Sequence, residues 1–164
     1  MVRGGDRPGL RVSAVAVGGK LLLGTIGALI GAFLGAVAWA AITASTTFQI
    51  GYMAVGVGFL AGLGMRILGG GRSRTEGFVA GGVALLGCVF GNLLATVFVI
   101  AQQYHKPILL VLGTALSHPA FAGVLLREGF NVMDPLFYGL AMYAGYRAAL
   151  KPPAADAVSS EPVS

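Results

Sequence analysis

Residues 77–101 read GFVAGGVALLGCVFGNLLATVFVIA, with no formal charge from end to end. At about 1.5 Å per residue, a helix of this length exceeds the ~30 Å hydrocarbon core of a bilayer. Its small residues, Gly77, Gly81, Ala84, Cys88, Gly91 and Ala95, are separated by alternating steps of four and three. That period holds them on one helix face. A flat, small face lets a second helix approach closely, which is how helices associate in lipid. Asn92, the one strongly polar side chain of the stretch, sits beside the stripe. These features predict a membrane-spanning helix around which the rest of the chain packs.

The whole chain supports that reading. It is 56% apolar and only 10% charged, against roughly 25% charged residues in soluble domains. With a mean hydropathy of +0.83, a chain of 164 residues cannot hide its apolar surface from water, so lipid is the expected partner and solvent. The net charge of +5 does not point to nucleic acid. The basic residues flank the apolar runs instead of forming a platform with aromatic side chains. Cys88 is the only cysteine, which excludes an intrachain disulfide, and no zinc-type Cys/His spacing occurs.

Upstream, residues 1–19 combine Arg3, Arg7 and Arg11 with several glycines and Pro8, and read as a flexible basic arm. Residues 21–42 are uncharged and carry Gly27, Gly31 and Gly35 at four-residue spacing. The basic start, the apolar run and Ala38-Trp39-Ala40 imitate a secretory signal. The run is longer than such a signal needs, so it reads as a retained first span. Trp39 is then expected in the interfacial belt at the far end. The polar residues 43–49 predict a short hairpin. A second span follows at about 49–68, with Gly51, Gly58 and Gly62, ending at Arg66. The Gly69-Gly70-Gly71-Arg72-Ser73-Arg74 segment lacks the Lys-Ser/Thr of a phosphate loop and reads as a turn.

Downstream, residues 107–127 are apolar but interrupted by Thr114, Ser117, His118 and Pro119. Pro119 lacks a backbone donor, so this segment is expected to be broken, interfacial or re-entrant. Asp134-Pro135 is a helix-start signal, opening a short fourth span at 135–150. Residues 152–164 are rich in Pro, Ala and Ser and read as a disordered tail. The expected fold is therefore all-α: an integral membrane four-helix bundle over residues 20–151, with Gly-rich packing faces and a broken segment between the third and fourth spans. With four spans, Arg3, Arg7, Arg11, Lys20, Arg66, Arg72, Arg74, Arg147 and Lys151 lie on the cytoplasmic side, and only Lys106 and Arg127 lie outside. A fifth span over 107–127 would move Arg147 and Lys151 out and bring Arg127 in. The positive-inside rule favours four, with both termini inside.

Three phrases extend the reading. Residues 51–59 read GYMAVGVGF, residues 87–92 read GCVFGN, and residues 133–138 read MDPLFY. In this order the chain resembles a widespread group of bacterial inner-membrane proteins without an established activity, some of which carry an N-terminal zinc-ribbon. The resemblance covers residues 20–150 and implies four membrane helices in a bacterial cytoplasmic membrane, with no chemistry attached. This chain lacks the zinc-ribbon and is unusually apolar over 107–127.

Candidate functional residues are few. No acidic or basic side chain lies deep in the first three spans, which argues against a proton relay or ion pump built on intramembrane carboxylates. Asn92, with Thr96 and Thr25, is a candidate polar path, though an interhelical hydrogen bond by Asn92 is the plainer reading. His105, His118, Glu128 and Asp134 form a candidate cluster at the outer interface, open to a metal if they converge. Ser117-His118 builds no catalytic triad by adjacency alone. Tyr138, Tyr143, Tyr146 and Phe137 read as packing and interface anchors, and no cofactor is implied. The glycine faces Gly27/Gly31/Gly35 and Gly58/Gly62, with the 77–95 stripe, serve packing within one chain or between chains. The expectation is a non-enzymatic structural or interaction protein, as a homo-oligomer or a subunit of a larger membrane assembly. A small channel or transporter is the alternative, and a lipid-handling protein at the outer interface is a third.

Overall fold

Helix is the only regular structure among the described residues, 8–46, 51–70 and 73–150 of a computed structural model. The six helices are α1 (Pro8–Thr46), α2 (Met53–Gly69), α3 (Arg74–Gln103), α4 (Ile108–Ser117), α5 (Pro119–Gly129) and α6 (Asp134–Ala149). Two are long and apolar enough to cross a membrane: α1 over Gly18–Thr43 and α3 over Arg74–Gln103. The α4–α5 pair is apolar too, but its two halves are bent by 115° across His118. α2 is apolar and has 17 residues, and α6 has 16.

Several expected boundaries move. The arm expected over 1–19 is helical from Pro8. Proline suits a first helical turn, where its missing N–H leaves no bond unmade. The polar residues expected to open a hairpin at Thr43 instead continue α1 to Thr46. Ser45 and Thr46 turn their hydroxyls back onto the carbonyls of Ala41 and Ile42, each at 2.8 Å, so the helix satisfies its own polar side chains. Residues 47–50, the first seven residues and the tail from Lys151 lie outside the described residues. Trp39, expected in an interfacial belt, is 1% exposed and lies in the core, with its ring against Gly91 of α3.

Glycine sets the packing. α1 and α2 run antiparallel at backbone distance: Gly24 lies by Gly69, Gly27 and Gly64 each face the other's carbonyl, Gly31 faces the Leu60 carbonyl, and Gly35 meets Val57. α1 runs parallel to α3, with Ala32 at Gly87 and Ala36 at Gly91. α6 runs parallel to α2, with Phe137 at Gly51, the Ala141 carbonyl at Gly58 and the Gly145 carbonyl at Gly62. It runs antiparallel to α3, with Tyr146 at Gly77 and Met142 at Gly81. α2 and α3 touch each other, while α1 and α6 lie on opposite sides of that pair. The α3 stripe thus meets three partners in turn: α6 at Gly77 and Gly81, α2 at Cys88, whose thiol donates to the Ala54 carbonyl, and α1 at Gly91.

The size pattern is reversed from that of a soluble protein. Alanines 28, 32, 36, 54, 61, 80 and 84 are buried, while Leu22, Leu29, Phe33, Leu34, Phe78 and Leu86 are half or more exposed. Water would penalise that exterior heavily, whereas lipid does not distinguish Leu from itself. The interior then takes small residues that maximise backbone contact.

Between α2 and α3, residues 71 and 72, part of the turn expected over 69–74, lie outside the described residues. Gly70 closes α2 with φ 101°, a left-handed conformation that glycine adopts without strain, and donates to the Arg66 carbonyl. Ser73 and Glu76 then form a reciprocal capping box that opens α3. At the other end, α3 outruns α2 and α6 by about three turns. There α4 and α5 pack on it alone, through a second core of Leu93, Val97, Ala101, Val111, Ala115 and Leu125.

Candidate functional site

Between the α4–α5 hairpin and the ends of α1 and α3, the surface encloses a half-open cavity of about 510 Å³. It exists because α3 continues past its short neighbours while α5 reaches only part of the exposed side. Gly129, the last residue of α5, brings the two helices together. A Cβ there would collide with the Thr96 hydroxyl and stand 3.3 Å from the side-chain amide oxygen of Asn92. This close approach carries Glu128 to the cavity wall beside Thr96.

The walls are mixed. α1 contributes Thr43, which is 4% exposed. α3 contributes Thr96, whose hydroxyl donates to the Asn92 carbonyl at 2.9 Å, and Gln103 at its end. Tyr104 lines it as well, and Val99 and Ile100 supply an apolar strip. From Thr96 to Gln103 the lining runs about 10 Å along α3. Among the described residues, Glu128 is the single carboxylate of the lining, and no Lys, Arg or His lines it.

The predicted site residues distribute as follows. Asn92 is 1% exposed and lies beside the Tyr138 side chain. Thr96 follows it one turn on, at the cavity. Thr25 is remote from both: its hydroxyl donates to its own helix at the Leu21 carbonyl, 2.8 Å away. It lies next to Gly24 and the end of α2, whereas Gly91 and Asn92 lie level with Trp39, about 20 Å further along α1. Ala32, Val57 and Gly87 meet directly in between, so the three polar residues do not form a continuous path.

The interfacial cluster does not assemble either. Among the described residues no three of His, Cys, Asp and Glu come together to hold a metal ion. His105 sits in the α3–α4 turn at φ 50°, and His118 is the hinge between α4 and α5. Asp134 is 5% exposed at the start of α6, where it accepts a 2.8 Å bond from the Asn131 N–H. That bond fixes the turn into α6 and accounts for the burial. Only Glu128 of the four faces the cavity. Among the aromatic candidates, Tyr138 is buried and edge-on to Phe130, and Tyr146 packs on Phe78.

Thr43, Gln103 and Tyr104 had no sequence signal of a site, since Thr43 resembles a loop residue and the other two resemble a helix end. Gly24, Gly64, Gly87 and Gly145 also join the packing. Gly64 falls on the opposite face of α2 from Gly58 and Gly62, so α2 carries two glycine faces, one for α1 and one for α6. No family model, no curated protein and no solved structure matches the chain.

Proposed function

We propose that the protein is a four-span component of a bacterial cytoplasmic membrane, acting by interaction rather than catalysis, and that the cavity beside the α4–α5 hairpin is where it binds. The alternating directions of α1, α2, α3 and α6 support four crossings. Lys20, Arg66, Arg74 and Arg147 fall at one end of these helices and Lys106 at the other, which the positive-inside rule reads as cytoplasmic and outer ends. α3 ends, and α6 begins, on the outer side. The bent α4–α5 pair between them therefore enters and leaves by the same face, as a re-entrant hairpin. A phosphatase fused after Ser164 is expected to be inactive, and a fluorescent protein at the same site bright. The reverse pattern would place the C-terminus outside and overturn the four-span topology.

The observation that carries the binding role is that the glycine faces are already used. Gly27, Gly31, Gly58, Gly62, Gly77, Gly81 and Gly91 all meet neighbouring helices of the same chain. Assembly with other chains through those faces would require the protomer to come apart. The hairpin cavity is a concave, partly polar surface that this packing leaves open, and pockets of a few hundred Å³ with convergent polar groups are the usual form of a ligand site. Native mass spectrometry of gently extracted protein is expected to show a bound small molecule. Val99→Trp, which fills the cavity from its exposed rim, should remove it. An adduct indifferent to Val99→Trp, or none at all, would refute the role.

A further inference from the structure

We infer that the cavity takes a small organic cation, its ammonium group beside Glu128. This inference rests on the proposed binding role of the cavity and names the ligand class.

The sign of the lining decides against an anion: among the described residues, one carboxylate and no cationic side chain face the space. Its construction decides against a metal ion. A hard divalent cation needs six or more oxygen ligands or a shell of retained water, and here a single carboxylate stands in a space of about 510 Å³. Its polarity decides against a purely apolar guest, which would strip water from Thr96, Gln103 and Glu128 and give nothing back. An alkylammonium satisfies every wall at once. Its charge pairs with Glu128, its polar substituents meet the threonine hydroxyls and the Gln103 amide, and its carbon faces Val99. Tyr104, in the same lining, supplies an aromatic ring for cation–π attraction, the usual device for quaternary ammonium recognition. Glu128 reaches this position because Gly129 carries no side chain to hold α5 away from Thr96.

The test uses the full-length protein in nanodiscs of anionic lipid, titrated calorimetrically with three molecules of nearly one shape. These are choline, its neutral carbon analogue 3,3-dimethylbutan-1-ol, and the anion 3,3-dimethylbutyrate. The emission of Trp39, the only tryptophan and one turn from Thr43, gives a second readout. Choline is expected to saturate, the neutral analogue to bind at least tenfold more weakly, and the anion not to bind. Glu128→Gln, on an exposed side chain, should cost choline at least tenfold and leave the neutral analogue unchanged. If the neutral analogue binds as tightly as choline and Glu128→Gln changes nothing, the cation inference fails while the cavity remains a site. If none of the three saturates, both fail. A second set of nanodiscs containing an ethanolamine lipid identifies the source of the ammonium group. Weaker choline binding there assigns the site to a lipid headgroup, and unchanged binding assigns it to a free solute.

Discussion

Replacing Gly31 by Leu is expected to abolish the folded protein. The Gly31 backbone lies against the Leu60 carbonyl of α2, and even a methyl group would overlap that oxygen and its carbon. The obstacle is backbone in a helix held on three sides, so it has no rotamer by which to yield. Overpacking a tight interior costs about 1–3 kcal/mol where side chains can adjust, and more is expected where they cannot. The change also separates Gly27 from Gly64 one turn away, and the close Cα–H to carbonyl contacts along the whole α1–α2 seam are lost together. The readout is the yield of a single symmetric peak on size exclusion after mild extraction. Gly82→Leu and Gly139→Leu are the matched controls, because nothing stands within 4 Å of a side chain built at either position. These should fold as well as the parent or slightly better, since glycine is a poor helix former by about 1 kcal/mol. Equal loss in all three variants would mean that glycine acts here through something other than close packing.

The second large effect is at Trp39. It is the bulkiest fully buried side chain of the described residues, wedged where α1 crosses Gly91. Trp39→Ala is expected to cost about 3–5 kcal/mol through the void it leaves, because lipid cannot reach so deep to fill it. Trp39→Phe should cost far less, under about 1.5 kcal/mol. The reason is specific: the indole N–H is buried and has no hydrogen-bond partner among the described residues. Replacing it with carbon therefore breaks no bond and removes a desolvated donor. Cys88 provides the assay. It is the only thiol in the chain and is fully buried, so a thiol-reactive dye reports unfolding on heating. Alanine should lower the midpoint strongly and phenylalanine hardly at all. A large loss with phenylalanine would show that the indole nitrogen holds something in the native membrane.

These two sites also mark how far the sequence could be read. Helicity was legible throughout because the apolar runs exceed strand length and carry a helical spacing of small residues. The partners of the stripes were not. Gly27, Gly31 and Gly35 announce that some backbone comes close, and nothing in their spacing says that it belongs to Gly64 and Leu60. Trp39 was misplaced because tryptophan usually marks an interface, and its true environment depends on Gly91 lying opposite, fifty-two residues away in the chain. The extension of α1 through Thr46 was obscured because serine and threonine signal a turn in water, whereas in a helix they can bond to their own backbone. The cavity draws on three separated stretches, near Thr43, Thr96 and Glu128, so no local motif announces it. Glu128 looked like one of four interfacial ligands, and the fold disperses those four.

The unequal helix lengths have a further result for the surrounding bilayer. α2 and α6 span about 25 Å each at 1.5 Å per residue, while α3, with 30 residues, covers about 45 Å. One flank of the protein therefore offers lipid a hydrophobic height several ångströms below the average core, and another flank offers more than enough. Mismatch costs fractions of a kcal/mol per ångström, and the neighbouring acyl chains meet it by shortening on the α2–α6 side or by tilting the whole protein. If all four helices cross as proposed, the protein would be a wedge in hydrophobic thickness. It would then favour thin or locally deformed membrane, and copies placed with their short flanks together would share a single dimple instead of making two.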